Sequence, residues 1–412
     1  MKRCLCVLAV LLILSLISNA FAQGDLTPPG APAPTMKTLA QVEPRTPITN
    51  MPFTISASGS YYLTANFTAA TGITIATNHV TVDLCGFTLN GPGKSAVGTA
   101  SGIGGSYANV VVRNGRIREW PGHGVVVGSV GWLEDLNVEN CNADGLQADQ
   151  QSRVVNCRVG SCGENGIRLD HSSRAQGCTV TANTSNGVYT ANDCEIRDTE
   201  ATYNTLDGIV TGNGCSVIHC VAANNTRHGF RLSNGNTVLG CSAYINTGDG
   251  INASSGCTIA DCSAYDNTGS GITTASRCTI TRCTSHDNTL LGIGVNSACT
   301  ISECTAAVNG TNIGVTADCH VLNNTCVGAG FGVGVGIQVV HNSGFGNRLD
   351  GNTASSLAIG FDVKDSGNLI VRNSAYNNAT DYSITNNNSV GGIVDVTGNG
   401  FTNTNPWVNF QF

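Results

Sequence analysis

The apolar positions of this chain come in short alternating runs, each only a few residues long. In the stretch from Cys257 to Thr274, Cys257 and Ile259 alternate with polar neighbours. Cys262 and Ala264 do the same, and after a break at Asn267 so do Ile272 and Thr274. Strict alternation over a few residues is the signature of a strand with one buried face, so the pattern predicts three short strands separated by bends. The pattern then starts again. A Gly followed by an apolar residue recurs at Gly124, Gly145, Gly166, Gly187, Gly208, Gly229, Gly250, Gly271 and Gly292, one every 21 residues, with looser copies at Gly102, Gly314, Gly336 and Gly360. A fixed period of this length means a solenoid or a propeller.

Other columns keep the same register. Asn183, Asn204, Asn225, Asn246, Asn267, Asn288 and Asn309 form one. Cys220, Cys241, Cys262, Cys283 and Cys304 form a second, and Cys194, Cys215, Cys257, Cys278 and Cys299 a third. Leucine is too scarce for a leucine-rich repeat. Three short strands per coil, stacked in register, make an all-β, single-stranded parallel β-helix rising about 4.8 Å per coil. The strong preference of parallel crossovers sets it right-handed. An Asn at a bend tolerates the left-handed conformation and bonds its equivalents one coil away, while the Gly column is expected to supply the other tight bend. The rod's open ends need covering. The candidates are the Pro-rich start and the tail from Asn405 to Phe410.

The ends of the chain read differently from the repeat. Lys2 and Arg3, the apolar run Leu5 to Ile17 and the small-residue pattern Ala20-Phe21-Ala22 make residues 1–22 an expected export signal. This points to a secreted, periplasmic or cell-surface protein without a membrane span once the signal is removed. Residues 23–52 hold seven of the ten prolines and are expected to form an extended linker or N-terminal strap, with the β-helix domain over 53–412. Charged residues make up only 11% and the net charge is −7, which argues against a nucleic-acid partner.

Nineteen cysteines suggest a disulfide framework, and removing Cys4 and Cys6 leaves an odd number. Their columnar placement favours free thiols serving as small apolar core residues. Some disulfides are the alternative, although the parallel Cβ vectors of stacked residues disfavour that bond. The C-x4-C spacing of Cys257/Cys262 and Cys278/Cys283 repeats coil after coil, which is packing and not a zinc site. No metal or other cofactor is expected.

Two outward clusters carry candidate chemistry. Asp149 stands one coil from Asp170, with Arg168 and His171 beside them. The two carboxylates could act as an acid/base pair or hold a cation, or they could be a solvated turn with Arg168 balancing both acids. Tyr244, Tyr265 and His286 share a column, with Asp266 and Asp287 in the next. That strip suits sugar rings, or stabilises the stack itself. A third column, Asp198, His219, Asp261, Arg282 and Glu303, alternates in sign as a structural ladder does.

The run Gly72 to Gly91, GITIATNHVTVDLCGFTLNG, together with the stacked NGI and DGI turns, resembles the pectin-lyase-like superfamily and its NosD-like (PbH1) repeat proteins. The likeness spans about residues 53–412. It implies a right-handed β-helix but not a chemistry, because that superfamily holds lyases, hydrolases, epimerases and non-enzymatic adhesins. Pro121-Gly122-His123-Gly124 is similar to the GHG element of pectin-degrading hydrolases, but no NTD or RIK element accompanies it. His123 instead joins a repeat column with Asp144, Asp207, His228 and Asp249.

The expected function is a non-catalytic scaffold presenting a surface to a polysaccharide, a cell-surface glycan or another partner. The alternative is a polysaccharide lyase, hydrolase or epimerase using the Asp149/Asp170 face, with Ca2+ only in the lyase case. Coils from Gly124 to Gly292 carry no insertions, so the irregular segments Gly86 to Ser101 and Gly310 to Asp365 are expected to wall any site.

Overall fold

The computed structural model describes residues 43–340, 345–396 and 404–412. The expected export signal and most of the expected linker lie outside the described residues. From Thr46 to Phe412 the chain winds as one stack of coils. Most coils give one strand to a 16-stranded sheet and two to a 32-stranded sheet, the long strands Val110–Arg118 and Trp132–Glu139 each filling both of the latter positions, and all pairings are parallel. In a typical coil these strands are Ile251–Ala253, Thr258–Ala260 and Ser263–Tyr265. Each pairs in exact 21-residue register with its equivalent one coil on. The stack begins at Thr46–Ile48, within the segment expected as a strap, where this strand pairs with Tyr61–Leu63. At the other end, Asn409–Gln411 pairs with Ile393–Asp395 and covers part of the last coil. Among the described residues no helix is long and apolar enough to cross a membrane.

Three corners per coil turn the chain, and each depends on one left-handed residue. In the example coil these are Gly256, Asp261 and Asp266, with φ of 72, 56 and 54°. Here the structure corrects the expected role of the Asn column. The left-handed residue is the one before each Asn, namely Ala182, Tyr203, Asn224, Ile245, Asp266, Asp287 and Val308, at φ 54 to 57°. A β-branched Ile or Val is unfavourable in that region. The corner holds because it aims the next residue, the Asn, into the core. There each Asn oxygen accepts the main-chain N–H of its equivalent in the preceding coil, as from Asn204 to Asn225 at 3.0 Å.

The Gly column is corrected too, since none of its nine strict members has positive φ. Glycine is needed there for close approach: a Cβ on Gly229 would lie 2.6 Å from the oxygen of Gly250.

The cysteines do more than fill space. Of the seventeen in the described residues, the sixteen other than Cys85 are free and buried. Except for Cys326, which lies in mid-strand within Thr325–Val327, these occupy the same ladder positions at the corners that Asn, Ser and Thr occupy elsewhere. Main-chain N–H groups of Cys257 and Cys278 donate to the next sulfur at 3.3 Å, whereas Cys215 N–H donates to Asn236 Oδ1 at 2.6 Å. Likewise Cys162 passes the ladder to Asn183, and Cys304 to Asn324. Each corner thus carries a hydrogen-bonded column in which Cys and Asn substitute for one another. Burial pushes the thiol of Cys178 up to about 11.

Candidate functional site

The strands of the 16-stranded sheet bury two residues of three and turn the middle one outward. In-register pairing lines up these outward residues as Gln147, Arg168, Tyr189, Val210, Arg231, Asn252, Thr273, Gly294, Gly314 and Gln338. The column is a mostly polar ribbon along the stack, interrupted at Val210, Gly294 and Gly314.

Next to it, one corner carries buried acids. Asp144 and Asp207 are fully buried. In each, one oxygen accepts a main-chain N–H of the following coil, from Asn165 at 2.9 Å and from His228 at 3.0 Å. The second oxygen of each has no hydrogen bond among the described residues. It is faced by an arginine of the ribbon: Arg168 Nη1 lies 4.0 Å from Asp144 Oδ2, and Arg231 Nη1 lies 3.5 Å from Asp207 Oδ2. Arg227 also reaches Asp207, at 3.6 Å. Two coils beyond Asp207, Asp249 Oδ2 accepts from Asn252 Nδ2 at 2.8 Å and from Thr273 Oγ1 at 2.9 Å. Carboxylates at the corner therefore hold outward groups of the ribbon in place. The sequence reading put these acids in one column but did not show that they are buried, because the column also holds His123 and Asn165.

The predicted cluster is only partly assembled. Asp149, Arg168 and Asp170 line a shallow cleft of about 180 Å³ together with Tyr189. His171 lies at its side, with Nε2 3.4 Å from Asp170 Oδ1, and both side chains are half exposed. Arg168 does not balance the two acids, because its guanidinium is drawn toward buried Asp144. For the calcium that a lyase would use, the donor set falls short. Such an ion takes six to eight oxygens, and among the described residues no group of three or more His, Cys, Asp or Glu is placed to hold a metal.

A larger notch of about 460 Å³ opens further along the ribbon. Gly294 and Gly314 leave its floor bare, with Asn252 and Thr273 on one side and Gln338 and Val340 on the other. Gln338 and Val340 belong to the irregular segment expected to wall a site.

The second predicted cluster sits on the 32-stranded sheet. Tyr244, Tyr265 and His286 stack with centroids 4.9 and 5.0 Å apart and planes 7° from parallel. The rings thus cover one another, and a ligand meets their edges or the outer faces of Tyr244 and His286. In the neighbouring coils the equivalent positions are Ala223 and Ala307. Asp266 and Asp287 are left-handed corner residues, and Asp287 Oδ2 lies 2.8 Å from His286 Nδ1. The sign-alternating column behaves as a ladder, with Arg282 bidentate on Asp261 at 2.7 and 2.9 Å.

Parallel coils of three strands with Asn-capped corners define a β-helix repeat protein. The chain belongs to the right-handed beta helix region family, whose profile matches residues 61–200 and 186–354. Among solved structures it is similar to the A-module of the mannuronan C-5 epimerase AlgE6 of Azotobacter vinelandii, at 13% identity and a TM-score of 0.41, over 78% of this chain and 91% of that one. It is also similar to pectate lyase Pel9A, at 13% identity and a TM-score of 0.32, over 63% and 70% of the two chains. A third likeness is to the receptor-binding domain of the siphovirus 9NA tailspike, at 10% identity and a TM-score of 0.39, over 89% and 80%. No residue role is carried across at these distances. No curated protein matches the sequence.

Proposed function

We propose that the protein is an exported, non-catalytic scaffold that binds an extended polysaccharide or cell-surface glycan along the outward face of its 16-stranded sheet. The observation that carries this reading is the ribbon itself. Guanidinium, phenol, amide and hydroxyl groups fill seven of the ten positions of this column from Gln147 to Gln338, in strict register. Arg168 and Arg231 stand three coils apart, roughly 14 Å at the strand spacing, each oriented by a buried carboxylate. Pre-oriented donors lose little freedom on binding. A straight row of such groups matches a linear polymer better than a compact metabolite.

The cleft lined by Asp149, Arg168 and Asp170 supports a second reading, a polysaccharide lyase, hydrolase or epimerase. A glycan array on the purified protein tests the first. Binding to one glycan class, weakened at least tenfold in Arg168→Gln/Arg231→Gln, is expected. Absence of binding, or binding indifferent to that pair, overturns the proposal. Release of unsaturated product or reducing sugar, abolished by Asp149→Ala/Asp170→Ala, would establish the enzyme reading instead.

A further inference from the structure

A second charged cluster lies on the 32-stranded sheet, near the C-terminal end of the stack. Strand Arg348–Asp350 pairs on one side with His320–Leu322 and on the other with Leu369–Val371. The side chain of Asp350 is 3% exposed and receives two arginines. Arg348 donates to it from Nε at 3.0 Å and Nη2 at 2.6 Å. Arg372 donates from Nε at 2.6 Å and Nη2 at 2.5 Å. Both guanidinium groups are thereby fixed, and the Nη1 of each has no hydrogen-bond partner among the described residues. Two cations on one carboxylate leave a local excess of one positive charge in a chain whose net charge is −7.

Two clefts meet at this cluster and share Arg348. One, of about 250 Å³, is lined by His320, Asp350 and Arg372. The other, of about 510 Å³, has an apolar wall of Leu369, Val390 and Trp407. The indole of Trp407 is half exposed, and Arg372 Cζ lies 5.4 Å from its ring centroid. An apolar wall with an aromatic ring beside a rigid guanidinium pair asks for a ligand with a hydrocarbon face and an anionic group on the same ring. Guanidinium forks match carboxylates in both geometry and charge, and the C–H face of a pyranose lies well against an indole.

We propose that this is a binding site for an acidic sugar, a uronic acid residue whose carboxylate meets the free Nη1 groups and whose ring lies against Trp407, Leu369 and Val390. The site is separate from the ribbon of the 16-stranded sheet, and the two proposals fail separately.

The test titrates the full chain with a tetramer of galacturonic acid and with its methyl ester, following tryptophan fluorescence and heat. The acid is expected to bind and the ester to bind at least tenfold more weakly, with binding of the acid falling as salt rises. Arg348→Gln and Trp407→Ala should each weaken the acid at least tenfold. Equal binding of acid and ester, or no binding of the acid, overturns the site. So does a loss on Arg168→Gln/Arg231→Gln without one on Arg348→Gln and Trp407→Ala, an outcome that leaves the sheet-face reading standing. If Arg348→Gln fails to fold, the acid–ester comparison and Trp407→Ala decide.

Discussion

Asn246 Oδ1 accepts two hydrogen bonds from Asn225, one from the main-chain N–H at 3.1 Å and one from Nδ2 at 3.0 Å. Its own Nδ2 donates to the carbonyl of Ala222 at 3.0 Å and to Asn267 at 3.0 Å. Every polar atom of this buried amide is used, and two of the four bonds satisfy main-chain groups at the corner, the N–H of Asn225 and the carbonyl of Ala222. Asn246→Ala strands the main-chain N–H of Asn225 and leaves its Nδ2 with the carbonyl of Ala201 alone. At about 1–3 kcal/mol for a stranded group, a loss of about 1–3 kcal/mol is expected in urea melts. Asn246→Cys should cost less, because sulfur accepts the equivalent main-chain N–H at 3.3 to 3.5 Å elsewhere in the ladders. Equal losses for Ala and Cys would refute the equivalence of the two residues.

Two kinds of glycine should respond differently to substitution. A Cβ on Gly229 would lie 2.6 Å from the Gly250 oxygen and 2.8 Å from Asn246 Nδ2, so Gly229→Ala must push two coils apart. Overpacking of this kind costs about 1–3 kcal/mol. Gly256 has φ of 72° and only one atom, at 3.9 Å, near its absent Cβ. Asp193 and Arg277 occupy the same corner in other coils at φ 59 and 61°. Gly256→Asn should therefore be nearly neutral, since Asn is at ease in that region. Melting both variants beside the parent protein checks the contrast, and a neutral Gly229→Ala would contradict the close-approach account.

These comparisons show which parts of the molecule were legible in its sequence. Stacking puts equivalent residues in contact, so any constraint on one coil is repeated at 21-residue intervals, and the strands, the coil length and the ladder columns could be read as a period. What the columns do locally could not be read that way. The period is the same whether Asn267 makes the corner or follows it, and only the backbone shows that Asp266 takes the left-handed turn. Burial at the edge of a corner was hidden as well, because Asp144 and Asp207 share a column with half-buried His123 and His228. The Arg348–Asp350–Arg372–Trp407 cluster lay beyond reach for another reason. It forms where coils of irregular length meet a terminal strand that returns to pair with Ser374 and Ala375, so no fixed spacing announces it.

The thiol ladders should be chemically silent in the folded protein. Cys241 Sγ lies 3.5 Å from the carbonyls of both Val217 and Leu239, which share its single S–H, and the residue is 1% exposed. Thiolate is the reactive form, and burial in apolar surroundings suppresses it. A short alkylation pulse on native protein, followed by peptide mapping, should leave Cys241, Cys262 and Cys283 untouched. After denaturation all three should react. Modification of the ladder thiols during the native pulse would mean that the coils open far more readily than this packing allows.

Acid should release the clamp at Asp350. Burial by itself raises this carboxyl, but the hydrogen bonds from Arg372 and then Arg348 outweigh it and hold the group below its ordinary value of 3.8. Because the folded value is depressed, the unfolded chain takes up the proton first as pH falls. The stabilisation is therefore complete above the ordinary carboxylate range and is lost as pH drops below 3.8. Breaking a buried pair costs about 3–5 kcal/mol, and the half-exposed arginines here reduce that to about 1–3 kcal/mol through solvent screening. Asp350→Asn keeps the volume and removes the charge. Urea melts at pH 7, 5 and 3 should show the parent protein more stable than the variant at the two higher values, with the gap narrowing at pH 3. A gap that is constant or widens in acid would show that the two arginines do not depend on the charge of Asp350.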